Sequence, residues 1–176
     1  MKKDKKLIVF EGISGAGKST IIKLLANKLN NVDGFNIKMS SLLKGVECNN
    51  IDFQNYKYYL SALAHAYALG KMNNNNKIYD EIFNWYRNNI GDRIIYPNAY
   101  IMFDLPIEES LNRIKRRNQE VADEIWIDKQ YLLLCEEFKN NFLKQNEKDI
   151  RVYRIDASQN IDEVYTELIK ILRQLK

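Results

Sequence analysis

The stretch FEGISGAGKST, residues 10–20, decides how the rest of the chain is read. It follows the apolar run LIVF (7–10) and precedes IIKLLANKL, in which Ile21, Leu24, Leu25 and Leu29 share one helical face. Within it Gly12, Ile13, Ser14, Gly15, Ala16, Gly17, Lys18 and Ser19 spell G-x-x-x-x-G-K-S, with Thr20 next. Glycines let a backbone turn tightly and come close to phosphate. Successive N–H groups at a helix N-terminus attract negative charge. A lysine placed as Lys18 is reaches the β and γ phosphates, and a hydroxyl placed as that of Ser19 ligates Mg²⁺. The cradle implies ATP or GTP with Mg²⁺. It does not by itself imply a reaction.

The bulk properties bound the answer. A chain of 176 residues with 45% hydrophobic and 28% charged residues suits one globular domain, residues 1–176. No apolar run approaches the ~20 residues of a membrane span, so no membrane partner is expected. The lead-in MKKDKK before a four-residue apolar run reads as the approach to a first strand, not a signal peptide. Two cysteines, Cys48 and Cys135, have neither disulfide-framework nor metal-ligand spacing, which fits reduced thiols and a cytoplasmic location. The single histidine, His65, rules out a histidine metal cage and reads as a structural residue in an apolar helix. A net charge of +4 favours an anionic small ligand and gives no basis for a nucleic-acid partner.

Five segments read as strands: LIVF (7–10), NIKM (36–39), KIYD (77–80), YIMFDL (100–105) and RVYRID (151–156). Helical spacing lies between them: Leu111 and Ile114; Tyr131, Leu134, Phe138 and Phe142; and Ile161, Val164, Leu168, Ile171 and Leu175. The alternation predicts an α/β fold with a mostly parallel sheet covered on both faces. Pro106 follows a strand, with Glu108 and Glu109 in the next first helical turn, and Asn160 with Glu163 predicts a capping box. The asparagines at 73–76 read as a loop before the KIYD strand.

Phosphoryl transfer also needs carboxylates and positive charge around the moving group. Asp80 and Glu81 would lie at the carboxyl edge of the sheet if KIYD is a strand, where ligands bind in open α/β folds. Asp80 is the first candidate for holding Mg²⁺ through water or accepting a proton, with Glu81, Glu47 and Asp52 as alternatives for the base. Glu11 adjoins the loop and could orient the loop or the metal's outer shell. In LNRIKRRN, Arg113 and Arg117 stand four apart and share a helix face suited to clamping phosphate; Arg116 is the weaker candidate.

FEGISGAGKST, PNAYIMFDLPIEESLNRIKRR and RVYRIDASQNIDEV, in that order, resemble the thymidylate kinase and deoxynucleoside kinase superfamily of P-loop kinases. The resemblance covers about half the chain, residues 7–30 and 97–165. It implies a three-layer P-loop NTPase fold with a five-stranded parallel sheet in the order 2-3-1-4-5 and a helical lid at about 113–128. It also implies lid roles for Arg113 and Arg117, and Asp156, Ala157 and Ser158 beside the adenine. The loop itself lacks an arginine, so the lid would supply charge to the transition state.

Departures from the family are equally informative. Ser14 stands where thymidylate kinases usually have Asp, and Glu81 replaces the arginine of an acidic–Arg pair. No arginine precedes Arg87, although monophosphate acceptors are usually gripped by forked arginine contacts from mid-chain. A neutral hydroxyl acceptor therefore gains ground over a monophosphate. The aromatic and amide-rich stretch 47–67, with Gln54 and Asn55, and Phe83, Trp85 and Tyr86 beyond it, would wall the acceptor site or else pack a core or homodimer interface. The leading expectation is an ATP-dependent kinase for a small-molecule acceptor: a nucleoside, a nucleotide or a related hydroxyl compound. The competing classes are a nucleotide-dependent regulatory protein, which the absence of a GTPase-type NKxD motif counts against, and a degenerate kinase homologue.

Overall fold

The P-loop stretch is a strand–loop–helix unit at the centre of the molecule. The computed structural model describes residues 6–29, 37–39, 45–48, 59–89, 97–117 and 127–175. Strand β1 (Lys6–Gly12) runs into the loop, and helix α1 (Lys18–Leu29) leaves it. Then follow β2 (Ile37–Met39), β3 (Gly45–Cys48), α2 (Tyr59–Met72), α3 (Lys77–Asn89), β4 (Ala99–Asp104), α4 (Ile107–Arg117), α5 (Lys129–Gln145), β5 (Arg151–Asp156) and α6 (Ile161–Gln174).

The sheet is ordered β2-β3-β1-β4-β5. β1, β4 and β5 are mutually parallel, with Phe10 opposite Ile101 and Ile101 opposite Tyr153. β3 lies antiparallel to β1, and β2 antiparallel to β3. The expectation of an all-parallel sheet is thereby corrected. Its third strand is 45–48, not 77–80. Gly45–Cys48 holds one aliphatic residue in four positions, too little for a period-two pattern to emerge.

KIYD lies within α3. A four-residue window cannot separate strand from helix, but the longer run places Ile78, Tyr79, Ile82 and Phe83 at helical spacing, and the Tyr79 and Phe83 rings stack at 6.0 Å. The asparagines at 73–76 make the tight turn of an αα-hairpin between α2 and α3. Asn74 adopts a left-handed φ of 51°, Asn75 N–H donates to Gly70 O at 2.8 Å, and Asn75 Oδ1 accepts from Lys77 N–H at 3.2 Å.

Successive residues of β4 feed opposite layers, and both are apolar. Ile101 and Phe103, with Ile8, Phe10 and Ile155, pack against Ile21 and Leu25 of α1 and Leu168 and Leu172 of α6. Tyr100 and Met102 pack against Leu60 of α2 and Phe138, Phe142 and Leu143 of α5. Ala64 and Ala68 let α2 approach Tyr131, Leu132 and Cys135 of α5, and α3 packs against α2. Among the described residues, no helix is long and apolar enough to cross a membrane.

The predicted capping box at α6 is present. Asn160 Oδ1 accepts from Asp162 N–H and Glu163 N–H at 3.1 and 3.0 Å, and Glu163 Oε2 accepts from Asn160 N–H at 3.3 Å. Asn160→Ala should cost about 1 kcal/mol of stability, measured by urea unfolding.

Candidate active site

The phosphate loop is held by neighbours that only glycine can meet. Gly12 has φ 138°, and a Cβ there would stand 2.5 Å from Phe103 O on β4. Gly15 has φ 81°, and its Cβ would meet Ser110 O at 2.9 Å. Ser110, 0% exposed in α4, donates its hydroxyl to Ser14 O at 2.6 Å, so the loop is pinned to the helix that carries the arginines. Lys18, at the first turn of α1, donates through Nζ to Gly12 O and Ile13 O, both at 2.7 Å. Ser19 and Thr20 are exposed on the same turn. Among the described residues, nothing beyond its own chain neighbours lies within 4 Å of where a Gly17 Cβ would stand, which leaves room for a bulky anion at the helix start.

A cavity of about 470 Å³ opens over this loop. Gly15, Ala16, Gly17 and Thr20 line it on one side, Arg113, Arg116 and Arg117 on another, and Ala157 and Gln159 on a third. Arg113 is fixed: its Nε donates to Glu109 at 2.9 Å and its Nη1 to Ala157 O at 3.0 Å. Arg116 shares the cavity with the other two arginines because three-residue spacing keeps side chains on one face as well as four. It belongs with them more fully than the sequence suggested. Of the three residues expected near the base, Ala157 lines the cavity. Asp156 and Ser158 bond each other, the Ser158 hydroxyl donating to Asp156 Oδ1 at 2.6 Å and its N–H at 2.9 Å, which holds the Asp156 carboxyl below its usual pKa. Gln159 and Ile161 were missed; Ile161 is 45% exposed beside the helix cap, an apolar surface at the cavity mouth.

Beneath the loop lies a charged network that sequence reading also missed. Glu11 is 4% exposed. Ser61 of α2 donates to both its carboxylate oxygens, at 2.8 and 3.0 Å, and Lys139 of α5 pairs with Oε2 at 3.1 Å. Lys139 Nζ also donates to Gly12 O at 3.2 Å. Burial alone would lower the pKa of this ammonium, but Glu11 and Glu136 beside it outweigh burial and raise it. Glu136, one turn earlier, has its carboxyl pKa raised by burial, and its Oε1 has no hydrogen-bond partner. Asp104, ending β4, is paired to Arg154 at 2.6 Å, and Arg154 also donates to Asn140. The signal was present: Tyr131, Cys135, Lys139 and Leu143 recur every four residues and are all buried, and a lysine in such a stripe needs an acid.

The acidic candidates fare differently. Asp80 and Glu81 sit exposed in the first turns of α3, not at a strand end beside the loop. The strand that would have carried them there does not form, so the metal and proton roles given to Asp80 lose their geometric basis. Among the described residues, no group of three or more His, Cys, Asp or Glu side chains is arranged to hold a metal. A Mg²⁺ would rest on Ser19, phosphate oxygens and water, as this ion commonly does. Glu11 is engaged with Ser61 and Lys139, as a support of the loop. Glu47 belongs to β3, and Asp52, Gln54, Asn55 and residues 118–126 of the expected lid lie outside the described residues.

His65 makes a structural contact: its Nδ1 and the Tyr131 hydroxyl are 2.6 Å apart, and burial lowers its pKa. Tyr67, Tyr79 and Phe83 pack with Phe138 in one aromatic cluster between α2, α3 and α5. Ser110→Ala should lower stability by about 1 kcal/mol and loosen the loop, read as faster amide exchange at residues 14–17.

No family model matches the chain. A probable thymidylate kinase of Methanococcus maripaludis (strain S2) is 26% identical over 203 residues, spanning 95% of this chain and 94% of that one. Probable thymidylate kinase 1 of Saccharolobus solfataricus is 26% identical over 211 residues, spanning 96% and 97%. Among solved structures, deoxyadenosine kinase from M. mycoides with bound dCTP superposes with a TM-score of 0.71 at 19% identity, covering 95% of this chain and 98% of that one. The same enzyme with bound dATP gives 0.68 at 17%, covering 94% and 98%. The structural likeness shows the fold. With the sequence relatives, it supports the thymidylate and deoxynucleoside kinase-like group of P-loop kinases, and with it a nucleoside or nucleotide kinase.

Proposed function

We propose that this relative of the thymidylate and deoxynucleoside kinase-like enzymes transfers the γ-phosphoryl group of ATP to the hydroxyl of a nucleoside or a related small acceptor. The reading treats residues 1–176 as one domain whose lid spans about 113–128. The observation that carries it is the single cavity shared by the phosphate loop, the three arginines of α4 and the β5–α6 turn. Anion cradle, mobile-charge neutralisers and a base-sized apolar wall converge there, as a donor nucleotide requires.

In this reading the N–H groups of residues 12–20 hold the polyphosphate, and Lys18 turns from the Gly12 and Ile13 carbonyls to the β and γ phosphates. Ser19 holds Mg²⁺, which supplies charge neutralisation between the phosphates. Arg113 stays anchored on Ala157 O at the base end, while the exposed Arg116 and Arg117 reach the transferring group. Ala157, Gln159 and Ile161 form the base wall. Closure of the lid over these groups excludes water, so that transfer outruns hydrolysis. With Asp80 and Glu81 on an exposed helix, Glu47 and Asp52 are the remaining members of the original set of candidate bases.

The acceptor follows from charge. A monophosphate needs forked cations, and the first arginine of the chain is Arg87. The relatives' names fall on both sides, thymidylate for one set and deoxyadenosine for the other. The scarcity of arginine favours a neutral nucleoside.

Lys18→Ala should lower kcat by at least ~10²-fold with the circular dichroism spectrum unchanged; an active variant would rule out phosphoryl transfer at this loop. In a competition assay with equimolar deoxynucleosides and deoxynucleoside monophosphates, the nucleosides should be phosphorylated preferentially; a strong preference for thymidylate would refute the arginine argument.

A further inference from the structure

Two ammonium groups donate to one carbonyl oxygen. Lys18 Nζ reaches Gly12 O at 2.7 Å from the loop's own helix, and Lys139 Nζ reaches the same atom at 3.2 Å from α5. Their situations differ. The Lys18 stem springs from the loop–helix junction, and its head donates to the main-chain oxygens of Gly12 and Ile13. The Lys139 head is 8% exposed as a side chain and is tied by an ion pair to Glu11, which Ser61 holds in turn through both oxygens. Three elements, β1, α2 and α5, therefore fix the position of the Lys139 ammonium, and none of the three carries the loop's own residues 13–19.

A lysine that takes up both the β and γ phosphates needs two of its three donors, so it can keep at most one of its two carbonyl contacts. Gly12 is buried, and a buried carbonyl left without a donor is costly. It also stands close against β4, where a Cβ would lie 2.5 Å from Phe103 O. An ion pair whose only duty was to neutralise Glu11 would have no need to touch this oxygen.

We propose that Lys139 is a positioning residue for the phosphate loop: held by Glu11, it keeps the Gly12 carbonyl bonded when Lys18 leaves for a nucleotide phosphate, so that the loop retains its shape in the loaded state. The inference rests on the donor-site reading above and deepens it, by assigning the cost of moving Lys18 to a residue on the opposite side of the sheet.

The test compares the wild type with Lys139→Met, Lys139→Arg and the double variant Lys139→Met/Glu11→Gln, measuring thermal unfolding and the Kd of Mg·ATP by calorimetry without acceptor. Lys139→Met orphans a buried carboxylate and should unfold at lower temperature. The double variant removes both charges and should recover stability, yet bind Mg·ATP about 10- to 100-fold more weakly than wild type. Lys139→Arg, which keeps charge and donors, should recover most of the affinity. A folded double variant with wild-type affinity would overturn the proposal, since a purely structural pair would be fully replaced. Should neither Met-bearing variant fold, the wild type decides the matter by NMR. A hydrogen-bond coupling from Lys139 Nζ to the Gly12 carbonyl carbon should persist at saturating Mg·ATP, and its disappearance on binding would overturn the proposal. A wild type that binds no Mg·ATP would instead remove the donor-site reading, and this inference with it.

Discussion

The structure depends on the junction between β1 and its loop, where a buried carboxylate and a buried main-chain carbonyl are satisfied from three sides. Glu11 is buried, so its carboxylate relies on Ser61 and Lys139, and α2 and α5 must dock in a register that allows both contacts. Apolar surfaces such as Ala64 and Ala68 against Tyr131 and Leu132 drive the docking but tolerate sliding. The polar contacts do not, because a half-satisfied buried network costs more than none. Helices α2 and α5 are thereby locked to the end of β1, from which the phosphate loop begins.

The loop's other end is governed by α4. Ser110 bonds Ser14 O, and the Ser110 main chain occupies the space a side chain at residue 15 would need. One turn further on, Arg113, Arg116 and Arg117 face the cavity. The helix that brings positive charge over the cavity is thus anchored on the phosphate loop by its first half. Any tilt of α4 moves charge and loop together, which suits a site that must assemble around an anion before it reacts. Arg113 extends the same linkage to the β5–α6 turn through Ala157 O.

Much of this was legible in the sequence, for reasons that particular residues make plain. The G-x-x-x-x-G-K-S pattern, the arginines of α4 and the Asn160–Glu163 cap are local: each depends on spacings of three to five residues that the chain states outright. Strands β1, β4 and β5 are apolar runs bounded by polar breaks, so they too could be read. The failures were short or non-local. Gly45–Cys48 has no pattern to recognise, and 77–80 borrowed the look of a strand from a helix whose i, i+4 aromatics extend past the window. That error carried Asp80 to a sheet edge it does not occupy. Lys139 and Ser110 work through partners 128 and 96 positions away, Glu11 for the first and Ser14 for the second, so only the assembled fold gives them meaning.

The central claim is that the cradle donates a phosphoryl group to a small acceptor and does not merely bind or hydrolyse a nucleotide. The most direct measurement is mass spectrometry of the products after incubation with ATP carrying an isotopic label on its γ-phosphate oxygens, across a panel of deoxynucleosides and deoxynucleoside monophosphates. The account predicts that the label appears covalently on one acceptor class, in step with formation of ADP. Label found only in inorganic phosphate, or retained in ATP with every acceptor offered, would contradict it.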